Sequence, residues 1–297
     1  MSEQVRIWVN GRRADEGPAL VAVDHGVTVG DGVFETAKVV DGQVFALTRH
    51  HDRMDRSLAG LGLPRLDRDR VQEGIDAVLQ EPMAFGRLRY TVTAGPGPLG
   101  SDRLEGEATY IVTAVAMARP PEATTVAVVP WVRNERGVTV GLKTTSYADN
   151  VVALAAAKEL GGTEALFANT AGELCEGTGS NVFVVSGGVV RTPPLLAGPL
   201  AGITRTLLLE WAREEGIDVA EEPVPLAELA TAEEVFITSS VRDAQAVERI
   251  RVVPGVTTLA GELPAPDLQE RELDAPGPVT RRLMDLFAKR AAERDDP

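Results

Sequence analysis

Val33-Phe34-Glu35-Thr36-Ala37-Lys38-Val39-Val40, the pair Asp41-Gly42, and Val44-Phe45-Ala46-Leu47 form the stretch on which the fold turns. β-branched and aromatic residues flank an Asp-Gly pair, and those two residue types tolerate the positive φ that a tight hairpin turn needs. Val5 to Val9 followed by Asn10-Gly11 repeats the signal upstream, so the chain is expected to open with an antiparallel sheet. Helical spacing comes next. Leu47, Met54, Leu58 and Leu61 fall on one side of a helix expected over Arg49 to Leu61. A second helix over Arg68 to Leu79 and strands over Arg87 to Ala94 and Thr109 to Ala118 complete this half.

Arg119-Pro120-Pro121-Glu122 interrupts the pattern, because paired prolines remove backbone donors and hold the chain extended. The sequence therefore predicts a smaller α/β domain over residues 1–118, a linker over 119–124, and a larger α/β domain over 125–297 that carries Lys143. Strands are expected there at Thr125 to Val129, Val138 to Leu142, Glu164 to Asn169, Asn181 to Val185 and Glu234 to Ile237. The expected helices cover Asp149 to Leu160, Thr204 to Glu215 and Gly277 to Glu293. Strands and helices mix in both halves, so the fold class is α+β. The charged end, Glu293 to Pro297, is expected to fray.

Composition narrows the function. The 297 residues hold 30 Lys and Arg against 44 Asp and Glu, and the formal charge of −14 repels phosphate backbones and anionic headgroups. Nucleic acid and membrane partners are not expected. The N-terminus lacks a basic segment followed by an apolar core, which predicts a cytoplasmic protein. Cys175 is the single cysteine, so neither an intrachain disulfide nor a cysteine-based zinc site is expected, and it reads as a small buried hydrophobe. His25, His50 and His51 show no ligand spacing, and no metal is expected.

Five features carry chemistry. Lys143 ends an apolar run and opens a polar turn, a place where an amine can attack a carbonyl. Glu176 precedes Gly177-Thr178-Gly179-Ser180-Asn181, whose glycines permit close backbone approach to a ligand. Ala201-Gly202-Ile203-Thr204 opens a helix, and Thr238-Ser239-Ser240 ends a strand; both offer amides to an anion. Arg53 lies on a helix with a fixed positive charge. Each feature has a plain alternative: surface lysine, acidic turn, threonine cap, serine turn, solvated arginine. Together they are the parts that hold pyridoxal 5′-phosphate, with aldehyde to amine, ring nitrogen to carboxylate, and phosphate to helix terminus and arginine.

The same residues resemble the class IV aminotransferase family, the fold-type IV enzymes that include branched-chain and D-amino acid aminotransferases and 4-amino-4-deoxychorismate lyases. The likeness runs from Val21 to about Val247. His25 to Thr36 resembles the family's glycine-rich entry motif, and His50-His51-Asp52-Arg53-Met54 its H-x-x-R helix. Lys143 with Tyr147 and Asn150 resembles the Schiff-base segment, and Glu176 to Asn181 the E-G-x-x-x-N motif. Ile203, Thr204, Ser239 and Ser240 align with its two phosphate-cup segments.

The resemblance implies a two-domain architecture with the cofactor between the domains, and a homodimer acting on small amino and keto acids. It also implies that Lys143 forms the imine and then moves the substrate's α-proton. Arg53 would bind the phosphate, Tyr147 the phenolic oxygen, and Glu176 the ring nitrogen. Thr36, Lys38, Arg89 and Arg242 are the candidate substrate contacts. The family divides between transamination and a lyase reaction that releases pyruvate, and Thr36 suits either.

Overall fold

The computed structural model describes residues 4–15, 17–104 and 106–297. It forms two compact units: Met1–Arg119 with Leu142–Tyr147 and Glu293–Pro297, and Pro120–Gly141 with Ala148–Ala292.

The first unit holds strands β1 (Arg6–Val9), β2 (Arg12–Arg13), β3 (Gly32–Val40), β4 (Gln43–Val44), β5 (Phe85–Thr93) and β6 (Thr109–Ala116). They form one sheet in the order β2-β1-β6-β5-β3-β4, and every pairing is antiparallel. Side chains alternate across such a sheet. Leu88, Tyr90 and Val92 of β5 therefore face the core, while Arg87 and Arg89 face away from it. A four-residue α1 (His25–Thr28) precedes β3, and α2 (Leu47–Gly60) and α3 (Arg68–Val78) cover the apolar face. Met54 and Leu58 of α2 are fully buried there, each contributing roughly 1.5–3 kcal/mol.

Leu47 opens α2 and does not extend a strand. Ala46 before it is left-handed (φ 55°) and offers no side-chain cap. The cap comes from the tail instead. Asp296 Oδ1 accepts from Thr48 N at 3.0 Å, Asp296 Oδ2 accepts from Thr48 Oγ1 at 2.6 Å, and Ala46 N donates to Asp295 O at 2.7 Å. The expected fraying of Glu293 to Pro297 is thus overturned, because four orphan N–H groups at a helix start attract a carboxylate.

The second unit holds β7 (Ala123–Arg133), β8 (Glu164–Asn169), β9 (Leu174–Gly177), β10 (Asn181–Ser186), β11 (Val189–Thr192), β12 (Val219–Glu221), β13 (Glu234–Ser239) and β14 (Asp243–Val252). The hairpin β15 (Val256–Thr258) and β16 (Gly261–Leu263) follows, then β17 (Arg271–Glu272). The main sheet runs β12-β11-β10-β13-β14-β7-β8-β9, with β17 on β14. At its centre β7 pairs parallel to both β8 and β14. Val126, Val128, Leu166, Val182, Val184, Val235 and Ile237 fill one face. On the opposite face Ala127, Val129 and Phe167 meet Ala153 and Ala157 of α4 (Ala148–Glu159). α5 (Ile203–Glu214) and α6 (Pro278–Glu293) meet through Trp211 and Phe287, whose centroids are 5.1 Å apart.

Two expectations change here. Val138 to Leu142 forms turns and no strand: Gly141 sits at φ 75°, and β7 itself runs on to Arg133. Lys143, assigned from the sequence to the second domain, packs with the first unit. Lys143 O accepts from Phe34 N at 2.9 Å, Lys143 N donates to Ser57 Oγ at 3.1 Å, and Thr145 N donates to Gly32 O at 2.8 Å.

Candidate active site

In the first unit the hairpin strand β3 divides its side chains between two tasks. Glu35 points to the helical side and is fully buried. Its carboxylate accepts from Arg53 through Nε (2.7 Å) and Nη2 (2.6 Å), and from His50 Nδ1 (2.7 Å). Burial pushes the Glu35 carboxyl up, but Arg53 and His50 outweigh it and hold it well below the usual carboxylate range. His50 moves the other way: burial pushes its imidazole down against the pull of Glu35, so it stays neutral. Arg53 is therefore a fixed cation with a bidentate partner that the sequence reading did not name.

Phe34 and Thr36 point to the other face. The Phe34 ring meets the Arg89 guanidinium 3.6 Å from its centroid, the Lys143 amine at 4.4 Å, and Tyr147 edge-on at 5.2 Å. Arg89 stands opposite Thr36 in the β3–β5 register. Burial pushes its guanidinium down, and no carboxylate pairs with it among the described residues. A desolvated cation on an aromatic face, next to an amine, is suited to an incoming anion. Lys38 is buried on the same strand with its amine 4.3 Å from the Phe45 centroid.

In the second unit Glu176 lies on β9 opposite Phe167. Its Oε2 accepts from Leu200 N at 2.9 Å, and its Oε1 lies 3.7 Å from Arg133 Nε. The loop that follows is tied down from two sides. Asn150 Nδ2 donates to Thr178 O at 2.6 Å, and the buried Glu164 accepts from Thr178 Oγ1 and from Gly179 N.

Ile203 and Thr204 open α5, where Gly202 is the N-cap; the threonine-cap alternative fails because Gly202 precedes it and no side chain caps the helix. A Cβ on Gly202 would fall 1.9 Å from Asn181 Oδ1, so the backbone there approaches as only glycine allows. Ser239 ends β13 and Ser240 follows it, half-buried. Among the described residues, Arg133 Nε, Ser180 Oγ and Thr238 Oγ1 are buried without a hydrogen-bond partner around these segments, as is Thr280 Oγ1 in α6.

One expected substrate contact is engaged elsewhere. Arg242 donates to Thr163 Oγ1 (3.0 Å), Thr163 O (3.0 Å) and Gln245 Oε1 (2.6 Å), which makes it a brace within the second unit. Glu35 and Arg133 escaped the sequence reading. Glu35 stood within the quoted entry motif, but its partner is eighteen positions away and only the strand–helix packing joins them.

A family model for amino-transferase class IV matches residues 32–250. A Methanocaldococcus jannaschii protein assigned as a branched-chain-amino-acid aminotransferase is 37% identical over 250 residues, covering 80% of this chain and 84% of its own. The aminodeoxychorismate lyase of Bacillus subtilis is 30% identical over 246 residues, covering 79% and 83%. In three dimensions, the branched-chain aminotransferase of Thermoproteus uzoniensis matches with a TM-score of 0.81 at 25% identity, over 96% of this chain and 93% of that one. By model, relatives and fold together, the chain belongs to the class IV aminotransferase family.

Proposed function

We propose that the chain is a pyridoxal 5′-phosphate-dependent aminotransferase that moves an amino group between a small amino acid, of branched-chain or D-amino acid type, and a 2-keto acid. The observation that carries this reading is the pairing, on one Phe34 ring, of the Lys143 amine and an Arg89 cation that no carboxylate engages among the described residues. An amino or keto acid carries its carboxylate beside the carbon that reacts, so Arg89 suits the carboxylate while Lys143 suits the chemistry at that carbon.

The residues fit the cofactor. Buried polar atoms without partners cost about 1–3 kcal/mol each and are rare, yet Ser180 Oγ and Thr238 Oγ1 adjoin Asn181 and Ser239. The uncapped start of α5 and its Gly202 cradle suit a phosphate, as does a run of hydroxyls at Ser239 and Ser240. Lys143 would take the aldehyde, Arg53, Ile203, Thr204, Ser239 and Ser240 the phosphate, Tyr147 the phenolic oxygen, and Glu176 the ring nitrogen. When bound, the cofactor supplies an electron sink at the substrate's α-carbon. Lys143 then holds and moves the α-proton, a task for which its stem is flexible enough. Glu176, oriented by Leu200 N, offers a carboxylate to a protonated ring nitrogen. Arg89, with Thr36 opposite, orients the substrate carboxylate, and Lys38 adds positive charge on the same strand.

A second reading is the lyase, favoured by the Bacillus subtilis relative and by Thr36 facing Arg89. Purified protein should turn yellow with pyridoxal 5′-phosphate, and Lys143→Ala should lose both that colour and turnover. Amino donors with 2-oxoglutarate or pyruvate as acceptor test transamination; aminodeoxychorismate alone, with pyruvate release, tests the lyase. Material that stays colourless overturns both. The reading includes a cytoplasmic homodimer, to be checked by cell fractionation and sedimentation velocity.

A further inference from the structure

Arg133 closes β7 and sets its guanidinium 4.2 Å from the Phe167 ring centroid. Its Nη2 donates to Asn150 Oδ1 at 2.5 Å, and Asn150 in turn donates to Thr178 O, two residues past Glu176. Its Nε is buried without a hydrogen-bond partner among the described residues and lies 3.7 Å from Glu176 Oε1, beyond hydrogen-bond length but within ion-pair range. One planar fork thus faces the carboxylate directly and grips the loop behind it. Lysine has no such geometry.

We infer that Arg133 is a positioning residue for Glu176: it supplies the countercharge and the anchor that keep Oε1 aimed at a protonated heteroaromatic nitrogen. The inference rests on the cofactor reading above. Arg133 touches no reacting atom, and its whole effect runs through the carboxylate. Removing it should therefore weaken only those ligands whose ring nitrogen Glu176 engages.

The test is a double-mutant cycle on the full chain, stripped of cofactor and titrated by fluorescence with pyridoxal 5′-phosphate. Arg133→Gln keeps a donor for Asn150 and removes the charge; it should raise Kd about tenfold. On a Glu176→Gln background the same change should leave Kd within about twofold. The 1-deaza analogue, whose ring has no nitrogen, should bind wild type and Arg133→Gln alike. Arg133→Met, which puts an uncharged side chain of similar reach beside Phe167, is read in the same way, so a folding failure of one variant leaves the other to decide. Equal losses on both backgrounds, equal losses with the deaza analogue, or no loss at all would each overturn the inference. A wild type that binds no cofactor would instead remove the reading on which it stands.

Discussion

At the scale of the residue, the buried Glu35–Arg53–His50 cluster sets the strongest constraint. A carboxylate with no exposure and three charge-assisted or neutral donors cannot lose its charge without stranding a buried guanidinium. Removing one partner of such a pair costs about 3–5 kcal/mol. Glu35→Gln should accordingly lower the urea midpoint by that equivalent, and a change under about 1 kcal/mol would show that Arg53 is held by other contacts. At this scale residue type and setting are enough to single out Lys143, Glu176 and Arg53 as candidates. Their partners were hidden, since Glu35 and Arg133 meet Arg53 and Glu176 only through packing between elements distant in sequence. Arg242 shows the same limit: a cation beside a strand end says nothing of the threonine and glutamine that it engages.

At the scale of the element, α2 and α5 begin in opposite ways. α2 borrows its cap from Asp296, 248 positions away, whereas α5 has no side-chain cap. Asp296→Ala should cost about 1 kcal/mol, read as a lower melting temperature. If the tail were loose, the substitution would be silent. Gly202→Ala should weaken pyridoxal 5′-phosphate binding at least tenfold by titration, because its methyl group meets Asn181 Oδ1. Unchanged affinity would exclude the α5 start as the phosphate cup. The sequence pattern found most elements: β8 has the bounds expected for it, and α4 differs from expectation by one residue at each end. It missed β14, whose Arg249 and Arg251 alternate with core residues and pair with Glu272 and Glu270. It also took Val138 to Leu142 for a strand, where no neighbouring strand accepts the backbone and Gly141 bends it away.

At the scale of the whole molecule, acid should act through histidine before it acts through Glu35. Burial holds the His51 imidazole down to about 4 from an ordinary 6.5, so the folded chain keeps it neutral while the unfolded chain binds a proton. Stability should then fall as pH drops from about 6.5 towards 4, and level off below that for this group. Glu35, lowered in the folded state, adds a further loss that begins below the ordinary carboxylate value and continues to lower pH. Melting temperatures from pH 7 to 4 check this: His51→Gln should flatten the upper part of the profile, and an unchanged slope would assign the loss elsewhere.

The parallel pairing of β7 has a consequence for how the chain is made. Both of its neighbours, β8 and β14, are translated after it, and the second of them finishes only at Val252. On the ribosome the middle of that sheet must wait for roughly half the polypeptide to emerge, its Val-rich edges bare meanwhile. Nascent chains stalled before Val252 should therefore be recognised by chaperones and cleaved by proteases that spare the finished product.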